Sequence, residues 1–132
     1  MIEINNLTNY CIDRKSFSQL AKKVLSGENR VTDSLSLAFV NKAEIKKLNK
    51  KFRKKDKPTD VLSFELSARG TEDKNYLGEI VICPDVVKEK KEDMLEVFVH
   101  GILHLCGYDH EKIKKEADMM EEKENHYLKI KN

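Results

Sequence analysis

Apolar residues recur along this chain with two periods, and the changes between them outline its elements. Met1 to Asn5 alternates apolar and polar positions, which predicts a short strand. Phe17, Leu20, Ala21, Val24 and Leu25 then fall at helical spacing, with Ser16 as the expected N-cap and Gly27 as the stop. Leu35, Leu37 and Phe39 alternate with Ser34, Ser36 and Ala38, the pattern of a half-buried strand. Asn41 is placed to cap a lysine-rich helix from about Lys42 to Phe52, with Ile45, Leu48 and Phe52 facing inward.

Pro58 closes that segment, and Val61 to Leu66 (VLSFEL) reads as the next strand. Ser67 to Asn75, around Gly70, reads as a loop, and Leu77 to Cys83 as a strand stopped by Pro84. Asp85 to Phe98 carries its apolar residues on one side and predicts helix, in one piece or two, running into a histidine-rich segment. A last helix is expected from about Lys112 to Tyr127, with Ile113, Ala117, Met120 and Met119 on its inner side. The order β-α-β-α-β-β-α-α implies one α+β domain over residues 1–132. Its sheet should be small and mixed, of about four strands, with helices packed on it and a metal site at the end of a core helix.

Composition fits that picture. A chain of 132 residues has the size of one domain, and 39% hydrophobic residues supply one core under a surface made highly charged by 36% Asp, Glu, Lys and Arg. No run approaches the ~18 consecutive apolar residues of a membrane span. The N-terminal stretch lacks the basic start and apolar centre of a secretory signal, so a soluble cytoplasmic protein is expected. Cys11, Cys83 and Cys106 are odd in number and form no CxxC pair, which suits half-buried thiols in a reducing compartment.

The net charge of +2 conceals a separation of sign. Lys42, Lys46, Lys47, Lys50, Lys51, Arg53, Lys54, Lys55 and Lys57 crowd a segment that holds only Glu44 and Asp56 as acids. From Glu111 to Glu124 the acids outnumber the lysines. A concentrated cationic segment points to a polyanionic partner, and the guanidinium of Arg53 offers phosphate a bidentate fork that lysine lacks.

The chemistry concentrates in HGILHLCGYDH, His100 to His110. His100 and His104 are four apart and share a helix face. On a continued helix His110 would lie about 9 Å further along the axis and on another side. Gly107 can end the helix in a left-handed turn and return His110 to the other two. A single histidine is most often an ordinary core or surface residue, but three of the chain's four fall within these eleven residues at ligand spacing. Their spacing matches that of HExxHxxGxxH metal sites. Three imidazoles leave one tetrahedral position for water, the layout of a catalytic zinc, although imidazole suits other divalent metals too. Gly101 occupies the position of the metalloprotease glutamate, which argues against peptide hydrolysis by that route. His126 reads as an ordinary residue.

Three blocks carry a family resemblance: LNKKFRKKDKPTDVLSF (Leu48 to Phe64), LGEIVIC (Leu77 to Cys83) and HGILHLCGYDH. In this order they resemble the YbeY family of metal-dependent bacterial endoribonucleases. The resemblance implies one zinc ion on His100, His104 and His110, and a functional Arg53 facing the site from a basic channel. It also implies cleavage of single-stranded RNA, maturation of the small-subunit rRNA 3′ end and ribosome quality control. Its expected partners are rRNA, the ribosome, and ribosomal proteins or a ribosome-associated GTPase, with no membrane. The stretch between Cys83 and His100 is shorter than is usual in the family, so the helix entering the site should start later or lack a turn. Cys106 stands where leucine is more usual.

Asp109, Asp60 and Glu79 are candidates to orient an imidazole or transfer a proton, while Thr59 and Ser63 are expected to pin the loop and strand. The rival readings are a metalloprotease-like hydrolase and a non-catalytic ribosome-assembly factor with structural zinc.

Overall fold

The computed structural model describes residues 2–65, 75–107 and 114–129. Its strands are β1 (Ile2–Asn6), β2 (Ser34–Phe39), β3 (Val61–Glu65) and β4 (Tyr76–Ile82). Its helices are α1 (Arg14–Gly27), α2 (Lys42–Arg53), α3 (Pro84–Glu89), α4 (Met94–Leu105) and α5 (Lys114–Lys129). The four strands form one mixed sheet in the order β1-β2-β4-β3. β1, β2 and β4 run parallel, while β3 joins the edge antiparallel to β4, Leu62 opposite Val81.

Alternation along the strands divides the core between two layers. Leu35, Leu37, Phe39, Ile80 and Ile82 face one side, where they pack with residues of α1, α4 and α5. Val40, Leu62, Phe64, Val81 and Cys83 meet Ile45 of α2 and Val86 of α3 on the other. Phe17 ties α1 to the sheet and to α4, edge-on to Phe39 at 5.2 Å and to Phe98 at 5.4 Å between ring centroids. Tyr127 of α5 is fully buried and donates its hydroxyl hydrogen bond to Glu28 just after α1.

The expected elements form at nearly the expected places, with two local corrections and one choice between expected alternatives. The N-cap of α1 is Asp13 rather than Ser16: the Asp13 carboxylate accepts from the Ser16 amide, and the Ser16 hydroxyl donates back at 2.6 Å. The helical stretch after Pro84 is in two pieces, broken at Lys91, whose φ is +58°. Phe52 does not complete the inner face of α2: it is 46% exposed, and the buried position is Asn49. The inner positions expected at Ile113, Ala117, Met119 and Met120 lie outside the residues whose side chains are described.

Asn49 is a polar side chain in a core layer, and its hydrogen bonds account for its place. Its Nδ2 donates to the Lys57 carbonyl at 2.9 Å, and its own carbonyl accepts from the Lys55 amide at 3.3 Å. The chain leaves α2 through Lys54 in the left-handed region, φ +59°, and Asn49 holds the turn that follows. Asn49→Ala removes the donor and leaves the Lys57 carbonyl without that bond. We expect it to lower unfolding free energy by about 1–3 kcal/mol in urea titration. A loss below about 0.5 kcal/mol would show that this buried amide does not anchor the turn.

Candidate metal centre

His100 and His104 stand one turn apart on α4, as their spacing predicts. Their Nε2 atoms are 2.9 Å apart, with the rings at 74° and their centroids 4.5 Å from each other. Both rings are half-buried, whereas Ile102 and Leu103 are completely buried and hold the helix to the core. Asp93 starts α4 by accepting from the Leu95 amide at 2.8 Å. At the far end Gly107 turns the chain with φ +108° and donates to the His104 carbonyl at 3.0 Å. That is the left-handed turn expected of it. His110, with Tyr108 and Asp109, lies outside the described residues.

The two described imidazoles suit a cation. Ligands about 2.0–2.1 Å from a tetrahedral zinc lie roughly 3.3 Å from one another, close to the observed separation. The Glu124 carboxylate lies 3.3 Å from His100 Nδ1. A carboxylate accepting from Nδ1–H keeps the Nε2 lone pair available and makes the ring a stronger donor to metal. Glu124 is 24 residues from His100, and only the packing of α5 on α4 brings the two together.

His100 and Glu124 also line a cavity of about 330 Å³ with Asp60, Val61, Glu92, Glu96 and Val97. This lining is strongly acidic, and an acidic recess with the His100 imidazole in its wall favours a positive ion over a bare phosphate. Asp60 and Glu92 share a hydrogen bond across it. Burial works against the Asp60 carboxylate, but Glu92, Lys90, the Thr59 hydroxyl and the Val61 amide outweigh it and hold Asp60 below the usual carboxylate range. Lys90 Nζ lies 3.6 Å from Asp60 Oδ2. Partial desolvation and then the Asp60 carboxylate push Glu92 up to about 7.

The remaining expected site residues separate. Asp60 is in the cavity lining; Glu79 is not, because it lies opposite Phe64 on the sheet face turned away from α4. The expectation that Glu79 serves the histidines is therefore corrected by the alternation of β4. Arg53 is at the end of α2, where Nη2 donates to the Ser63 carbonyl on the edge strand β3 at 2.7 Å. Its guanidinium lies 5.8 Å from the centroid of the Phe64 ring, and it is not among the described residues lining the cavity. Thr59 bonds to Asp60 at 3.2 Å, and the Ser63 carbonyl anchors Arg53, so both residues fix this edge. Cys106 caps α4, and burial pushes its thiol up to about 11, away from the thiolate that a metal needs. His126 is exposed and rests edge-on against Tyr127 at 5.2 Å.

Gly101 has a packing reason of its own. A Cβ built there would come within 3.1 Å of the Ile80 side chain, so α4 lies close on β4 and a longer residue requires Ile80 to give by a few tenths of an ångström. A side chain at this position would start out toward Ile80 in the core.

Glu92 supplies a pH test. Because its folded pKa is raised, the folded chain binds more protons than the unfolded one between the ordinary glutamate range and about 7, and stability falls as pH rises through that window. Glu92→Gln should flatten this part of the curve of melting temperature against pH. An unchanged slope between pH ~5 and ~7.5 would show that Glu92 does not hold the proton.

Comparison with known proteins follows the same lines. The model of the family described as "Endoribonuclease YbeY" matches residues 3–131. The chain is 38% identical over 122 residues to Endoribonuclease YbeY of Thermotoga neapolitana, covering 86% of this chain and 74% of that protein. It is 38% identical over 130 residues to the protein of the same name from Aliarcobacter butzleri, covering 92% and 88%. A solution structure from Thermotoga maritima aligns with a TM-score of 0.65 at 34% identity, covering 97% of this chain and 87% of that one. With nearly its whole length matched, the chain belongs to the endoribonuclease YbeY family.

Proposed function

We propose that this chain is a single-strand-specific, metal-dependent endoribonuclease. In this reading it holds one zinc ion on His100, His104 and His110 and acts in the cytoplasm. Its substrate would be the small-subunit rRNA, in maturation of the 3′ end and in ribosome quality control, with the ribosome and its proteins or GTPases as partners. The observation that carries the reading is the approach of two imidazole Nε2 atoms to 2.9 Å at the edge of an acidic cavity. Among the described residues no helix is long and apolar enough to cross a membrane.

A bound ion would supply Lewis-acid activation of water and of the phosphate under attack. The protein's part is positioning and charge. Glu124 is placed to accept from His100 Nδ1, and Asp60 stays ionised beside Lys90. Glu92 carries a proton over much of the range up to about 7 and is placed in the cavity to give or take one. Arg53 would exchange its bond to the Ser63 carbonyl for an RNA phosphate oxygen, adding positive charge from the end of α2. The protease reading is weakened because Gly101, packed on Ile80, stands where the usual base would be.

Metal analysis of purified protein should find about one zinc per chain, the ratio of a mononuclear catalytic site. His100→Ala and His104→Ala should lose it, and chelation should abolish cleavage of single-stranded RNA while casein remains intact. Full metal content in both variants would overturn the assignment of the ligands.

Arg53→Ala should keep the metal and lose RNA cleavage on the order of a hundredfold, the usual loss when one charge-stabilising donor is removed. Unchanged cleavage would take this arginine out of the mechanism.

A further inference from the structure

Three large apolar side chains are exposed among the described residues: Leu7, Val31 and Phe52. Phe52 differs from the others in chemistry and in setting. It belongs to the last turn of α2, in the run Lys50, Lys51, Phe52, Arg53, Lys54, Lys55. Its ring stands edge-on to Phe64, with centroids 5.1 Å apart and planes at 66°. Phe64 is itself 8% exposed and fixed in the layer beneath. The Phe52 ring therefore rests on a rigid support while nearly half of the residue stays in water. Lys51 Nζ hovers 5.2 Å from the ring centroid, so a charged group from solvent reaches a face of the ring. Arg53, one residue on, is pinned to the edge of β3 and lies over Phe64.

An aromatic face held from below and surrounded by cations matches what single-stranded nucleic acid offers, a flat base on a chain of phosphates. A core role does not explain the residue, because Ile45, Leu48 and Phe64 pack this layer under it. Lysine and arginine alone bind a duplex as readily as a single strand, whereas an exposed ring discriminates, because only an unpaired base presents a free face for stacking.

We propose that Phe52 is a stacking platform for an unpaired RNA base, with Lys51, Arg53, Lys54 and Lys55 engaging the adjoining phosphates, and that it confers preference for single strands. This rests on the RNA-directed reading of the chain, deepening it by naming the residue that reads strandedness.

The chain contains no tryptophan, so Phe52→Trp places a single emission reporter at the platform. Its fluorescence should be quenched on titration with oligouridylate or oligoadenylate and should hold with inorganic polyphosphate, which carries the charge and no base. Anisotropy of labelled RNA should show Phe52→Ala binding the single strand on the order of tenfold more weakly, with Phe52→Tyr restoring it and duplex binding unchanged.

If RNA binds the tryptophan variant without quenching it, or Phe52→Ala binds single strands as tightly as wild type, stacking is overturned and the RNA reading stands. Failure of the wild-type protein to bind any RNA removes the RNA reading, and the platform with it. Because Phe52→Trp keeps an aromatic ring on Phe64, the quenching test remains decisive even if Phe52→Ala folds poorly.

Discussion

Helix α4 lies on β4 so closely that a methyl group at Gly101 would come within 3.1 Å of Ile80. This contact fixes the roll of the helix about its axis. With Gly101, Ile102 and Leu103 turned to the core, His100 and His104 are left at its margin with their Nε2 atoms facing one another. A bulkier residue at 101 would lift or rotate the helix and separate the rings from the cavity wall that β3 supplies through Asp60 and Val61. The close packing at Gly101 is thus also what aims the two donors.

The edge strand β3 divides the electrostatics of the molecule. Just before its first residue Asp60 faces the acidic cavity, and two positions into it the Ser63 carbonyl takes the Arg53 guanidinium on the other side of the sheet. An acidic cavity and a basic helix end are therefore separated by one short stretch of chain. Two lysines of α2 are already near Asp56, Lys46 at 4.0 Å and Lys50 at 3.9 Å, which concentrates the outward positive charge at the helix end around Arg53. Exposed pairs at such distances contribute little to stability, so their effect is on where the charge is presented.

Local chemistry made much of this readable in the sequence. The i, i+4 histidines, the Asn41 cap and the Gly107 turn depend on neighbours within a few residues, and each is found as its spacing implies. The strands Ser34–Phe39 and Val61–Glu65 follow from period-two alternation in the same way. What escaped depends on contacts between distant parts of the chain. Glu124 meets His100 through the packing of α5 on α4, and Glu92 meets Asp60 after the chain breaks at Lys91. Glu79 falls on the other face because a strand pattern gives alternation without saying which face receives α4.

Phe52 shows why a helical stripe can mislead at its end. The positions Ile45, Leu48 and Phe52 share a face, yet in the last turn the Phe52 ring meets Phe64 edge-on and nearly half of the residue overhangs into solvent. Asn49 takes the buried place instead because it can satisfy the carbonyl of Lys57, which no apolar residue could do. An overhanging ring gives up part of the hydrophobic gain of full burial, and burial of a large side chain is worth about 1.5–3 kcal/mol. That forgone burial sits beside Arg53, at the end of the most basic helix in the chain, where a single-stranded polyanion arriving at the edge of the sheet would first meet it.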